Sequence, residues 1–316
     1  MNIIEILTSL LIFSAGVGII ISTGNIMVKN ASALGRSLGV NPILIGLTIV
    51  SFGTSIPEFL VCLFAAFQGS SDIATGNIVG SNIANIGLIL GFTAAVRPVT
   101  SNMSLLRVEV PMMILLTIVL YTLSLNLTLG RIEGLVIFMI LPVFVIYSYF
   151  SAKSGTKKMG VEIKPDTKPS EKLKQIILIL VGLAGLIIGA KLVVDESIYM
   201  ARLLGISELI IGITAVAIGT SLPELSASLI AIYKNEHELV VGNVIGSNIF
   251  NIGILGLVSL IQPIEINSEL LKIEYPVMLL LSLLTLPIMK TGTVITRKEG
   301  VILLSIYIIF IYLVIL

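Results

Sequence analysis

Two stretches decide the reading of this chain: Gly53-Thr54-Ser55-Ile56-Pro57-Glu58 and Gly219-Thr220-Ser221-Leu222-Pro223-Glu224. Each is followed at the same interval by a second block. In the first case this is Gly76-Asn77-Ile78-Val79-Gly80-Ser81-Asn82-Ile83-Ala84-Asn85-Ile86-Gly87, in the other Gly242-Asn243-Val244-Ile245-Gly246-Ser247-Asn248-Ile249-Phe250-Asn251-Ile252-Gly253. Residues 44–91 align with 210–257 at a shift of 166 without a gap, with 20 of 48 positions identical. Apolar composition can generate chance Leu/Ile matches, but it cannot place Pro-Glu, Gly-Asn and Gly-Ser-Asn in register. The register continues in Arg107-Val108-Glu109-Val110-Pro111 against Lys272-Ile273-Glu274-Tyr275-Pro276, and in Arg131-Ile132-Glu133-Gly134 against Arg297-Lys298-Glu299-Gly300. The chain is two copies of one unit.

Around these blocks the sequence is too apolar for a soluble protein. Of 316 residues 56% are hydrophobic and 12% charged, against about 25% charged in soluble domains. Apolar runs of about 20 residues, long enough to cross about 30 Å of hydrocarbon as helices, alternate with short polar stretches. The runs are continuous rather than alternating with period two, which excludes a barrel. The predicted spans are 3–22, 42–68, 73–96, 104–125, 132–150, 175–194, 207–233, 239–261, 270–289 and 299–316. The first lacks the basic start and small-residue cleavage site of a signal peptide and is read as a spanning helix. The expected fold is all-α and integral to the membrane: ten transmembrane helices as two five-helix repeats. Five is odd, so the second repeat enters from the opposite face and the repeats are inverted, an architecture that puts a substrate site near the midplane where they meet.

The boundaries follow: 1–150 for the first repeat, 151–174 for a linker, 175–316 for the second. With ten alternating spans, one side carries fifteen Lys and Arg, including the seven lysines between Lys153 and Lys174, and the other only Arg131, Lys191, Arg202 and Lys272. The positive-inside rule makes the linker cytoplasmic and puts both termini outside, in a multi-pass protein of the cell membrane. Net charge is +1, with nothing to attract nucleic acid. The one cysteine, Cys62, and the one histidine, His237, cannot build a zinc-type site; they are read as a packing residue and a loop residue. No phosphate-binding loop or nucleophile–base pair suggests an enzyme, and no cofactor or protein partner beyond membrane lipid is expected.

Glu58 and Glu224 are the only acidic residues well inside predicted spans, where an uncompensated carboxylate costs several kcal/mol and marks an ion or proton path. Each follows a proline that cannot donate to the preceding turn. The kinks loosen the backbone around Gly53, Ser51, Gly219 and Ala217, and a bound cation can satisfy carbonyls freed there. Thr54 and Ser55 share a face with Glu58, as Thr220 and Ser221 do with Glu224. Ser81 and Asn85 are four apart, as are Ser247 and Asn251, so each pair presents oxygens on one face. Gly76/Gly80 and Gly242/Gly246 have the spacing of close helix contacts. Asn77 and Asn243 either join the ligands or brace the broken helices. Glu109 and Glu274 are expected at the water interface. All the candidate ligands are hard oxygen donors, which suit Na+ and Ca2+ rather than zinc or copper. Two carboxylates balance one Ca2+, and three Na+ in its place would leave one positive charge, so exchange could be driven by voltage.

In these paired motifs the chain resembles the calcium/cation antiporter family, especially its prokaryotic sodium/calcium exchangers, over nearly its whole length. The resemblance implies a core of the second, third, seventh and eighth helices around four cation sites, with the first and sixth helices sliding across it. It implies that Ca2+ and Na+ share Glu58 and Glu224, and that Thr54 and Thr220 offer carbonyls to Ca2+. Ser51, Ser55, Ala217, Ser221 and Ser247 would serve flanking Na+ sites with Ser81 as symmetry mate, and Asn85 and Asn251 would line the middle position. Some relatives carry Asp where Asn251 stands, so a K+ requirement is not expected. The expected function is secondary Ca2+/Na+ antiport by alternating access; a Ca2+/H+ exchanger and a passive cation channel are the rival readings.

Overall fold

The computed structural model describes residues 3–38, 42–100, 108–158, 169–203, 217–290 and 294–315. Arg107, part of the lysine-rich linker and the start of the seventh predicted span lie outside them. The chain crosses the membrane in ten segments, two inverted sets of five. In order they are α1 (Ile3–Leu38); α2, broken into Ile43–Thr54 and Ile56–Phe67; α3 (Ser71–Val96); α4 (Glu109–Ser124); α5 (Arg131–Lys158); α6 (Pro169–Leu203); α7, described as Ala217–Thr220 and Leu222–Tyr233; α8 (His237–Ile261); α9 (Glu274–Lys290); and α10 (Arg297–Ile315).

The bundle is inverted in polarity relative to a soluble protein. Its outer surface carries Leu11, Ile132, Val143 and Ile308, each more than half exposed, while serines, threonines, asparagines and the glutamates Glu58, Glu109 and Glu224 are buried among the apolar residues of the interior. The central position belongs to α3 and α8: 78% and 83% of their apolar windows are buried, against 11% for α1. Small residues make the tight crossings possible. A side chain at Gly246 would collide with Ser51 Oγ and meet the Leu47 carbonyl at 2.7 Å, and α1 meets α6 where Gly16 and Gly189 face each other's carbonyls. At Gly76 and Gly80 an added side chain would meet nothing within 4 Å among the described residues.

α1 and α6 run to 36 and 35 residues, well past the apolar runs that predicted them. Polar residues do not stop them because they bond back along their own helix: Thr23 to the Ile19 carbonyl at 2.6 Å, Asn25 to Ile21 and Asn30 to Ile26, both at 2.7 Å. Beyond them Met27, Ala31 and Leu34 are buried in the protein.

Among the described residues four two-residue strands, unanticipated in the sequence, tie the repeats together. β1 (Val99–Thr100) pairs antiparallel with β4 (Val294–Ile295), and β2 (Thr128–Leu129) with β3 (Ile264–Glu265). β1 and β3 occupy equivalent places in the two repeats, as do β2 and β4, so the two ribbons are symmetry mates. The β1 and β4 loops follow odd-numbered segments and the β2 and β3 loops even-numbered ones. Each ribbon therefore closes one face of the membrane, as alternating crossings require. His237 begins α8, where its Nδ1 accepts the Thr100 N–H at 3.2 Å; it is more than a bystander in a loop. Glu109 is buried at 4% exposure rather than at the water interface, because it sits in the first turn of α4 among backbone N–H groups. Its mate Glu274 is half-buried.

Candidate cation site

Pro57 and Pro223 each occupy the second position of a new helical segment, and the residue before each segment, Ser55 or Ser221, leaves helical geometry with ψ near zero. Proline tolerates the first turn of a helix and not its interior, so the chain restarts there. The two parts of α2 meet at 43°. The break places Glu58 in the first turn of one segment with Thr54 and Ser55 at the end of the other, and Thr220, Ser221 and Glu224 repeat this. Both carboxylates are buried, at 0% and 1% exposure.

The neighbours cross between repeats. The hydroxyls around the Glu58 carboxylate belong to Ser81, Ser221 and Thr220, and those around Glu224 to Thr54 and Ser55. Ser81 donates to Glu58 Oε1 at 3.5 Å, and Ser221 to Ser81 Oγ at 3.4 Å. Ser51 is fully buried and donates to the Gly46 carbonyl inside a single π-turn, Gly46–Val50. Ala217, its mate, opens the short helix Ala217–Thr220, and its side chain is outside the described residues. Asn77 and Asn243 are braces: their Nδ2 groups donate to the backbone carbonyls of Glu58 at 3.1 Å and Glu224 at 3.3 Å. Their Oδ1 atoms take hydroxyls from the opposite repeat, Thr220 to Asn77 at 3.5 Å and Thr54 to Asn243 at 3.3 Å.

A residue that touches its own symmetry mate lies on the pseudo-two-fold axis. Asn82 donates to the Asn248 carbonyl at 3.3 Å, and Thr117 meets Ser282 at 3.4 Å. Around this axis Asn85 Nδ2 donates to Asn248 Oδ1 and Asn251 Nδ2 to Asn82 Oδ1, both at 3.1 Å. Asn82 and Asn248 were missed as site residues, although both stand in the repeated Gly-Ser-Asn block. Their signal was the identity itself, since a buried amide retained in both copies needs a polar partner. By holding the Nδ2 groups of Asn85 and Asn251 they turn the Oδ1 atoms of both away from the pair.

Ten buried side-chain oxygens make no hydrogen bond among the described residues, and seven are on predicted site residues: Ser55 Oγ, Glu58 Oε2, Asn85 Oδ1, both oxygens of Glu224, Ser247 Oγ and Asn251 Oδ1. Buried polar atoms are nearly always bonded. A concentration of unpaired acceptors with two carboxylates suits a dehydrated hard cation. Among the described residues no basic side chain is paired with these oxygens. A cavity of about 520 Å³ between α2, α6 and α7 reaches Pro57, Gly219 and Thr220 at the edge of this cage.

The family profile described as sodium/calcium exchanger protein matches residues 8–150 and 174–316. Among curated proteins, the inner membrane protein YrbG of Escherichia coli is 38% identical over 284 residues, covering 88% of this chain and 86% of its own. The sodium/calcium exchanger MaX1 of Methanosarcina acetivorans is 33% identical, covering 96% and 98%. Among solved structures, the sodium-calcium exchanger NCX_Mj soaked with zero Na+ and Ca2+ superposes with a TM-score of 0.85 at 30% identity, over 97% of this chain and 98% of that one.

Proposed function

Because the chain belongs to the sodium/calcium exchanger family, a family of membrane transporters and not of enzymes, and so exchanges Ca2+ against another cation, we propose that its counter-ion is Na+ and that both ions use the cage around Glu58 and Glu224. The single observation that carries this reading is the set of seven buried oxygens around two carboxylates that, among the described residues, have neither a hydrogen bond nor a basic partner. A carboxylate pair of charge −2 is neutralised by one Ca2+ and outweighed by three Na+, so a 3:1 exchange moves net charge and responds to membrane potential.

The helix break that follows Thr54 and Thr220 supports their main-chain carbonyls as Ca2+ ligands beside the two glutamates. Ser51, Ser55, Ser221 and Ser247, with Ala217 through its backbone and Ser81 opposite, form the flanking Na+ positions. The free Oδ1 atoms of Asn85 and Asn251 line the middle. The functional halves are 1–150 and 175–316, joined by the 151–174 linker on the cytoplasmic side. The excess of lysine and arginine supports that orientation, with both termini outside. The cavity beside Thr220 then opens from the outer half of the membrane, an ion route for one phase of alternating access.

Purified protein in lipid vesicles tests the proposal. An outward Na+ gradient should drive uptake of radiolabelled Ca2+, and a potassium–valinomycin potential, inside positive, should increase it. Uptake driven only by a pH gradient would make the protein a proton exchanger, and flux indifferent to any counter-ion a channel.

A further inference from the structure

Away from the cation cage, two cavities adjoin at the lysine-rich end of the bundle. The deeper, about 550 Å³, lies between α1 and α7 and is walled by Ile20, Ile21, Leu229, Ile230 and Tyr233. The shallower, about 440 Å³, is ringed by Lys29, Lys174 and Lys234 with Asn25 and Asn30. Asn25 and Lys234 line both, so the apolar groove runs directly into the basic pocket.

The three lysines come from three helices, α1, α6 and the end of α7. None forms an ion pair among the described residues, and no carboxylate lines either cavity. The nearest acid beyond Lys234, Glu236, is engaged by Arg36 at 3.5 Å and by Ser32. The described cavities at the other end are lined differently. The cavity at the opposite ends of α1 and α6 is lined by Glu5 and Glu196, and the one beside Thr220 by Lys191 with Asp195. Tyr233 is 68% exposed next to Lys234, the placement of an aromatic residue at the boundary between hydrocarbon and headgroups. A long apolar groove ending in three uncompensated ammonium groups at that boundary matches an acyl chain with an anionic head.

We propose that this cleft binds one anionic phospholipid, its acyl chain between α1 and α7 and its phosphate among Lys29, Lys174 and Lys234. Basic pockets between helices on the cytoplasmic side are suited to such headgroups, at roughly fivefold in affinity for each lysine near the surface. The phosphate would bridge three helices that share no salt bridge here.

The test is native mass spectrometry and thermal unfolding of the purified full-length protein with phosphatidylglycerol, phosphatidylcholine or inorganic phosphate. Phosphatidylglycerol should bind and stabilise selectively. The triple variant Lys29→Gln/Lys174→Gln/Lys234→Gln should lose that preference, on the order of a hundredfold in affinity, while keeping Ca2+ uptake in plain phosphatidylcholine vesicles. Lys234→Arg should retain the preference, and Ile230→Trp, which fills the groove, should weaken lipid binding with the lysines intact. A preference that survives the triple variant, or inorganic phosphate that stabilises as strongly as the lipid, would overturn the proposal. So would phosphatidylcholine binding equally well.

Discussion

Asn77 braces the backbone of Glu58 and, among the described contacts, donates nowhere else; Asn243 does the same for Glu224 and also donates to Ser228 Oγ at 3.2 Å. The position equivalent to Ser228 in the first repeat is Cys62, which is buried and free. A second difference lies one turn before the proline break, where Ser51 in α2 answers Ala217 in α7. Against these differences, the carboxylates, the bracing amides, the hydroxyls of Thr54/Thr220 and Ser55/Ser221, and the Asn82–Asn251 and Asn248–Asn85 pairs recur in both repeats. What repeats is what holds charge and positions oxygens. What differs is one hydroxyl at the cage edge and one amide partner behind it, so the two sides of the cage need not hold Na+ equally well.

The largest effect expected follows from the shared part. Glu58→Gln and Glu224→Gln should each abolish Ca2+ exchange, because one carboxylate leaves a dehydrated divalent ion half neutralised. A loss on the order of 3 kcal/mol in binding, roughly a hundredfold, is the scale of removing one partner from a buried charge pair. Calorimetric titration of Ca2+ checks this, and a clear inequality between the two variants would show that the carboxylates are not equivalent. Next comes Gly246→Ala, whose methyl would collide with Ser51 Oγ and sit 2.7 Å from the Leu47 carbonyl. It should separate α2 from α8 and lower both thermal stability and transport. Unchanged stability would mean that this crossing adjusts freely.

Asn82→Ala tests the axis. It strips Asn251 Nδ2 of its acceptor and leaves a buried amide unpaired, at about 1–3 kcal/mol. The double variant Asn82→Ala/Asn251→Ala should cost less than the sum of the two single changes, since the amide stranded by one is removed by the other. Strict additivity in thermal unfolding would deny the pairing.

How far this was readable in the sequence depends on whether a residue acts within its own repeat or across the axis. The break at Pro57 and Pro223, the shared face of Thr54, Ser55 and Glu58, and the inversion of the repeats are local or periodic facts and stood in the motifs. The choice of Asn77 and Asn243 as braces, left open in the sequence, needed the hydrogen bonds from α3 to α2 and from α8 to α7. Asn82 and Asn248 escaped because their function is to hold each other's neighbours, which a single repeat cannot express. The β1–β4 and β2–β3 ribbons escaped for the same reason, each strand finding its partner only in the opposite repeat. The true lengths of α1 and α6 were hidden because an apolar run records where lipid ends, while a helix ends where its backbone partners do.

Ser51 and Ala217 test the unequal part within the cage. Ser51→Ala removes an oxygen beside the Gly242 and Asn243 carbonyls and should weaken Na+ activation of exchange by about tenfold, with Ca2+ affinity changed less. A fall of equal size for both ions would place Ser51 in the shared frame instead.

The smallest effect expected is also the one that separates the two repeats most cleanly, because it exchanges their difference. Cys62→Ser gives the first repeat the hydroxyl that the second has at Ser228, offering Asn77 a second acceptor. Ser228→Cys takes that acceptor from Asn243, leaving a buried amide hydrogen facing a weak sulfur acceptor. Each change replaces one side-chain atom, so the amide partner is the main polar variable. The expected shifts in stability are opposite in sign and within about 1 kcal/mol, with Cys62→Ser stabilising and Ser228→Cys destabilising in thermal unfolding of the purified protein. If both destabilise alike, Cys62 is held by packing rather than by a missing hydrogen bond, and the difference between Asn77 and Asn243 has no energetic weight.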